Sequence, residues 1–231
     1  VLTINEIGKK GLQLIRPLTS KEIWAAGVTY RISRDERQRE SSLPEPYERV
    51  YRAQRPEIFF KSTPERCVGP AQAVGIRADS DWNVPEPELA VVLYKGSIVG
   101  YTVGNDVSSR SIEGDNPLYL PQAKIYNRCC SIGPCIASAE SIQDPHDLQI
   151  YCQIIRAGSS VFAGETNTSE MVRTCHELVS FLMKHNDIPD VTILFTGTGI
   201  VPPEEITLLE GDLVRITIDK IGTLENSVVQ V

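Results

Sequence analysis

The chain reads as a strand-rich α+β domain carrying a few helices, and three observations lead there. After Phe59, short apolar runs recur with Gly, Pro, Asn and Asp between them, which is the pattern of strands and turns. Only one segment, 169–185, has a sustained helical period, so alternating βα units are not expected. The 231 residues suffice for one large domain with a sizeable core.

Taken from the N-terminus, residues 1–19 read as the end of an N-terminal segment. The first residue is Val rather than Met, so a preceding segment is expected. Residues 20–231 form the main domain. The stretch SKEIWAA, 20–26, predicts a short helix capped by Ser20 and ended by Gly27. Residues 31–56 are dense in Arg and Glu, carry three prolines and have few apolar residues. They predict a partly helical surface excursion, either a charged connector or a lid over a site. Strands are expected at 89–93, 98–103, 131–138, 148–156, 191–195, 213–219 and 226–231. The helix at 169–185, capped by Asn167 or Thr168, places Met171, Val172, Cys175, Leu178, Val179, Leu182 and Met183 on one stripe. His176 and His185 fall off that stripe and read as surface residues.

The formal net charge of −7 argues against nucleic acid or an anionic membrane as the main partner. No apolar run approaches the ~18–20 residues that span a bilayer. The six cysteines form no CxxC pair and have no His at zinc spacing, so they read as small buried hydrophobes in a reducing cytosol.

The stretch VPEPELAVVL, 84–93, enters an apolar run through two acids. Residues i and i+2 of a strand face one side, so Glu86 and Glu88 present two carboxylates together. Like charges so close require a cation or a proton. Pro87 cannot donate to a ladder, which makes this strand end an edge or an opening. The following residues predict a hairpin turning near Lys95-Gly96. A two-residue loop pairs Glu86 with Asn105 and leaves Asp106 on the wrong face. A three-residue loop, or a bulge at Gly104, puts Asp106 beside the glutamates. Each geometry brings Asp106 to the same end of the hairpin. Three carboxylates with waters suit Mg²⁺, with Mn²⁺ or Ca²⁺ as alternatives; zinc is disfavoured because neither His nor Cys joins them.

Four stretches together, PEIFFKST (56–63), VPEPELAVVL (84–93), GYTVGNDVSSR (100–110) and TGTGIVP (196–202), resemble the fumarylacetoacetate hydrolase superfamily, in family order and over roughly residues 20–231. The resemblance implies a mixed β-roll or sandwich of that family's C-terminal domain type. It also implies that Glu86, Glu88 and Asp106 bind Mg²⁺ or Mn²⁺. The family includes C–C hydrolases, decarboxylases, isomerases and dehydratases, so the fold does not fix the reaction. Where its hydrolases carry a His in a lid motif, this chain has TYRISRDE (29–36) with Ser33 in that place. Serine lacks a basic nitrogen, which counts against activating water.

The stretch NPLYLPQAKIYNRCCSIGP (116–134) resembles the branch that dehydrates 2-keto-3-deoxy sugar acids. That implies catalytic roles for Lys124 and Glu57, one acting at the C3 proton and the other at the C4 hydroxyl, with either assignment open. The expected reaction is the Mg²⁺-dependent conversion of 2-keto-3-deoxy-D-arabinonate to 2,5-dioxopentanoate in sugar-acid catabolism. The alternative is hydrolysis of acylpyruvate or fumarylpyruvate-type C–C bonds. Thr198 in the TGTG loop, and Arg31 or Arg34 on the lid, are candidates for the substrate's acid group. The TGTG loop lacks both nucleotide-binding patterns. A small-molecule 2-keto acid is the expected partner, in a cytoplasmic homodimer or homotetramer.

Overall fold

The structure is a computed structural model that describes residues 13–40 and 45–231. The expectations for 1–12, and for 41–44 of the excursion, lie outside the described residues. Residues 13–19 run along the surface, where the Arg16 guanidinium donates to the carbonyls of Pro64 and Cys67, both at 2.6 Å.

The elements follow in chain order: β1 (Glu22–Gly27), α1 (Arg31–Glu40), α2 (Glu45–Arg52), β2 (Glu57–Ser62), β3 (Cys67–Val68), β4 (Val74–Ile76) and β5 (Asn83–Val84). Next are β6 (Pro87–Tyr94), β7 (Ser97–Asp106), β8 (Ser108–Ser109), α3 (Arg110–Asp115), α4 (Leu120–Lys124) and β9 (Cys130–Ser138). The chain closes with β10 (Gln149–Arg156), β11 (Ser159–Asn167), α5 (Cys175–Leu182), β12 (Val191–Thr198), β13 (Leu213–Ile218) and β14 (Gly222–Gln230).

A seven-stranded sheet, in the order β2-β1-β12-β6-β7-β9-β3, packs through β6, β7 and β9 on a five-stranded sheet, β11-β10-β13-β14-β4. Both sheets mix parallel and antiparallel neighbours. The main core, including Leu89, Val91, Val103, Ile150, Ile154, Val214 and Ile216, fills the space between them. This is the mixed, strand-rich sandwich that the sequence predicts.

The 20–26 stretch is a strand, not a helix. Its Ala, Lys and Glu favour helix by propensity, but β1 lies between β12 and β2, and that pairing overrides so weak a preference. Ser20 donates to the carbonyls of Glu22 and Val191 instead of capping a helix. The helix expected over 169–185 is shorter. Tyr30 bridges to Met171, and the Val172 amide donates to the Thr29 carbonyl, which takes this backbone away from a helix. Asn167 caps only a 3₁₀ turn, and Thr174 caps α5, its Oγ1 accepting from the Glu177 amide at 3.1 Å. Of the expected stripe, Val172 and Met183 are exposed, as are His176 and His185. All six cysteines are free. Burial pushes the Cys152 and Cys175 thiols up to about 12, which makes them inert packing groups.

The hairpin resolves the parity of the acids in a third way. Tyr94 pairs with Ser97 across a two-residue turn, with Lys95 and Gly96 both at positive φ. The register then shifts between Val92 and Leu93, leaving Val99 as an extra residue. The bulge therefore sits at Val99 rather than Gly104. From it onward Pro87 pairs with Asn105, and the Asp106 amide donates to the Glu86 carbonyl at 2.9 Å. β6 is a central strand, so Pro87 marks an opening rather than an edge: the ladder to β12 ends at Glu88–Thr198, one residue short of it.

Candidate metal centre

Glu86, Glu88 and Asp106 each offer an oxygen, and the three atoms lie within 4.8 Å of one another. All three residues are buried, Glu88 and Asp106 at 1% exposure. The Gly197 amide, at positive φ, donates to the Glu88 carboxylate at 2.5 Å, and Asn105 Oδ1 accepts from the Glu86 amide at 3.2 Å. Burial first, then the charges of Asp106 and Glu86, raise the Glu88 carboxyl well above its ordinary value.

Three cations answer this charge. The Lys124 ammonium donates to Glu86 at 2.7 Å, Asp106 at 3.1 Å and the Ser108 hydroxyl at 2.7 Å. Lys61, fully buried, reaches Asp106 from β2 at 2.5 Å and donates to the carbonyls of Val107 and Lys124 at 2.9 and 2.5 Å. Burial opposes the Lys61 charge, but Asp106 overcomes that and holds the ammonium firmly protonated. Arg110 approaches Glu86 at 3.2 Å.

The donor set fits a hard dication. It is all oxygen, buried and anionic, and two oxygens on one Mg²⁺ lie at most about 4.2 Å apart, twice its bond length. The spacing present, within 4.8 Å, is close to that value. The residues that would hold the ion are Glu86, Glu88 and Asp106.

Beside these acids is a cavity of about 10 Å³, lined by Glu57, Phe59, Glu86, Lys124, Gly197 and Thr198 below, with Ser33 of α1 and Glu113 of α3 also in its wall. Glu57 folds its carboxylate over Gly27, where a Cβ would stand 2.1 Å from Oε2. The structure thus gathers Glu57, Glu86, Glu88, Asp106, Lys124 and Thr198. It does not bring Arg31 or Arg34 to the cavity lining. Arg31 is largely exposed and pairs with Asp35, while Arg34 pairs with Asp35 and Glu48 and stacks on Tyr51 at 4.5 Å. Sequence reasoning passed over Lys61, Arg110 and Glu113. Lys61 carries a signal, since Glu57, Phe59 and Lys61 alternate along one face of β2.

An acid triad at the mouth of a β-sandwich, with a buried amine between the acids, defines a metal-assisted lyase or hydrolase type of centre. The chain belongs to the family described as fumarylacetoacetate (FAA) hydrolase C-terminal, which matches residues 22–229. It is 59% identical over 215 residues to a probable 2-keto-3-deoxyxylonate dehydratase of Haloferax volcanii, covering 93% of this chain and 74% of that protein. It is 48% identical over 219 residues to the 2-dehydro-3-deoxy-D-arabinonate dehydratase of Saccharolobus solfataricus, covering 92% and 73%. Among solved structures, it superposes with a TM-score of 0.91, at 43% identity, on a 2-keto-3-deoxy-D-arabinonate dehydratase complexed with magnesium and 2,5-dioxopentanoate, covering 100% of this chain and 82% of that one.

Proposed function

We propose that this protein is a Mg²⁺-dependent dehydratase of a 2-keto-3-deoxy sugar acid, converting 2-keto-3-deoxy-D-arabinonate to 2,5-dioxopentanoate and water. The observation that carries the reading is the Lys124 amine lodged between two carboxylates of the triad, beside a cavity that Glu57 also lines. The two dehydratase relatives, and the structure solved with magnesium and 2,5-dioxopentanoate, support the same reading.

When bound, Mg²⁺ supplies the positive charge that makes the C3 proton of an α-keto acid more acidic. Neutralising Glu86 and Asp106 also withdraws the partners that hold Lys124 as an ammonium, freeing its amine to act as a base. Lys124 takes the C3 proton, since C3 adjoins the keto group that docks at the triad. Glu57, across the cavity, gives a proton to the departing C4 hydroxyl. A proton then shifts from C5 to C3, leaving a C4=C5 enol, and the enol hydroxyl proton moves to C4, so that C5 ends as the aldehyde. Each positioned proton transfer contributes on the order of 10²–10⁴-fold. Thr198, opposite Glu88 on β12, orients the acid group of the substrate.

Residues 31–56 act as the lid in this reading. A cavity of about 10 Å³ holds roughly one water, so a five-carbon acid enters only when the wall carrying Ser33 moves. Among the described residues the cavity lining includes no histidine, which counts against the hydrolase alternative. Among the described residues no helix is long and apolar enough to cross a membrane. A cytoplasmic homodimer or homotetramer completes the reading.

The test is a panel of 2-keto-3-deoxy acids and acylpyruvates, run with Mg²⁺ and with EDTA. Dehydration of the pentonate that EDTA abolishes is the expected result. Rapid acylpyruvate cleavage with the pentonate untouched overturns it.

A further inference from the structure

Residues 31–56 leave the sandwich after Tyr30 and rejoin it at Glu57, and three consecutive residues hold both legs. On the outgoing leg, the Val172 amide donates to the Thr29 carbonyl at 2.9 Å, and Met171 bridges to Tyr30. On the returning leg, the Arg173 guanidinium donates to the Ala53 carbonyl, with the carbonyls of Gln54 and Val50 at 3.4 and 3.5 Å. Glu177 of α5 accepts from the same guanidinium at 2.7 Å and fixes its direction. Only 11% of the Arg173 side chain is exposed.

This grip closes on the chain just ahead of the residue that gives a proton to the C4 hydroxyl. Ala53 and Gln54 stand past the end of α2 and shortly before Glu57, the first residue of β2. The link between them is stiff. Arg55 lies over the Phe181 ring of α5 at 5.6 Å, and Pro56 fixes its own φ and narrows the choices of Arg55. A displacement at Ala53 and Gln54 therefore reaches Glu57. On the neighbouring strand, Glu57 pairs with Gly27, close to the Thr29 that Val172 holds. Residues 171–173 thus steady the ends of both strands that place Glu57.

We propose that Arg173 is a positioning residue for the dehydration: its clasp on Val50, Ala53 and Gln54 sets where Glu57 stands in the cavity wall. The inference rests on the proposed function for the role of Glu57. A guanidinium presents five donors in a rigid fork, so one side chain holds several carbonyls and a carboxylate together. Carbonyls at a helix C-terminus lack intrahelical donors, and a cation there also suits the helix dipole. The metal triad lies apart from the clasp. Among the described residues, the partners of Arg173 belong to 50–54 and to α5, whereas Glu86, Glu88 and Asp106 sit on or next to β6 and β7.

Hydrogen exchange of the full chain reads the clasp directly. In Arg173→Met, peptides covering 50–57 should exchange at least about tenfold faster, while β6 and β12 keep wild-type protection. With Mg²⁺ and the pentonate, kcat should fall about 10–100-fold, the worth of one hydrogen bond to a charged group, and KM should move less. Mn²⁺ affinity, by calorimetry, should stay within about twofold of wild type, because the triad is held by other residues. Wild-type exchange over 50–57, or wild-type kcat, in Arg173→Met overturns the proposal. A loss of Mn²⁺ affinity as large as the loss of kcat overturns it too, since that marks general damage to the fold. Should the variant not fold, Glu177→Gln removes only the charge that braces Arg173, and wild-type exchange over 50–57 in that protein overturns the proposal. A wild type inert toward the pentonate refutes the dehydratase reading instead, and the exchange comparison still decides on the clasp.

Discussion

Replacing Lys61 by Met tests how the acid triad is held. Its ammonium is fully buried, pairs with Asp106 Oδ1 at 2.5 Å and donates to the carbonyls of Val107 and Lys124. Methionine keeps most of the volume and removes the charge. Asp106 is then left buried beside Glu86 and Glu88 with one cation fewer, and breaking a buried pair from one side costs about 3–5 kcal/mol. Two buried carbonyls lose a donor, adding roughly 1–2 kcal/mol. A loss of about 4–7 kcal/mol is a large part of an ordinary domain's stability of about 5–15 kcal/mol. At this chain length it lowers Tm by roughly 10–20 °C. Thermal and urea unfolding of metal-free protein measure it. Saturating Mn²⁺ should return part of the loss, because the ion supplies the missing charge to Asp106 and binds the folded state alone. A metal-free Lys61→Met protein within about 1 kcal/mol of wild type refutes the reasoning, because the buried pair would then carry little of the triad's stability.

Three more outcomes follow from the same geometry. Lys124→Met should lower kcat by about 10²–10⁴-fold while metal affinity holds or improves, since the ammonium that competes for Glu86 and Asp106 is gone; parallel loss of metal binding, by calorimetry, contradicts this. Gly197→Ala should destabilise by about 1–3 kcal/mol, because φ is +91° and the added Cβ would lie 2.1 Å from Thr29 Oγ1. It should also weaken Mg²⁺ binding through the displaced amide bond to Glu88, and wild-type melting with wild-type affinity would argue otherwise. Finally, burial and then the Asp106 and Glu86 charges raise Glu88 above its ordinary 4.5, so the metal-free fold keeps a proton that the unfolded chain sheds above that pH. That contribution to stability therefore falls as pH rises, and metal binding must expel the proton. Mn²⁺ affinity should climb as pH rises above the ordinary carboxyl range, with proton release in calorimetry; a flat profile without release counts against it.

The strands that the sequence makes legible include β6, β9 and β12, whose largely apolar, mostly buried runs leave a plain signature, and β10, whose buried residues alternate along the strand. β11 escapes notice: SSVFAGETN is polar and mostly exposed, and it lies at a sheet edge. β1 misleads because its residues favour helix, while its place between two strands is fixed by partners far along the chain. The acids of the site are legible because two are adjacent and a hairpin brings the third. Lys124 and Glu57 emerge through the family resemblance. Lys61 looks like a routine lysine in an apolar strand. Its importance arises from the Asp106 carboxylate and the carbonyls of Val107 and Lys124, all from distant segments.

The bulge at Val99 makes this hairpin tolerant of a change in length. Val99 is 42% exposed and far along the hairpin from the acids, so exchanging it for another residue should be nearly silent. Deleting it should be tolerated as well, because Val92–Gly100 would then follow Leu93–Ile98 directly and every later pair, down to Pro87–Asn105, would stay in register. The surplus residue is thus a spare link placed in solvent, and the acids at the far end of the ladder do not feel whether it is there.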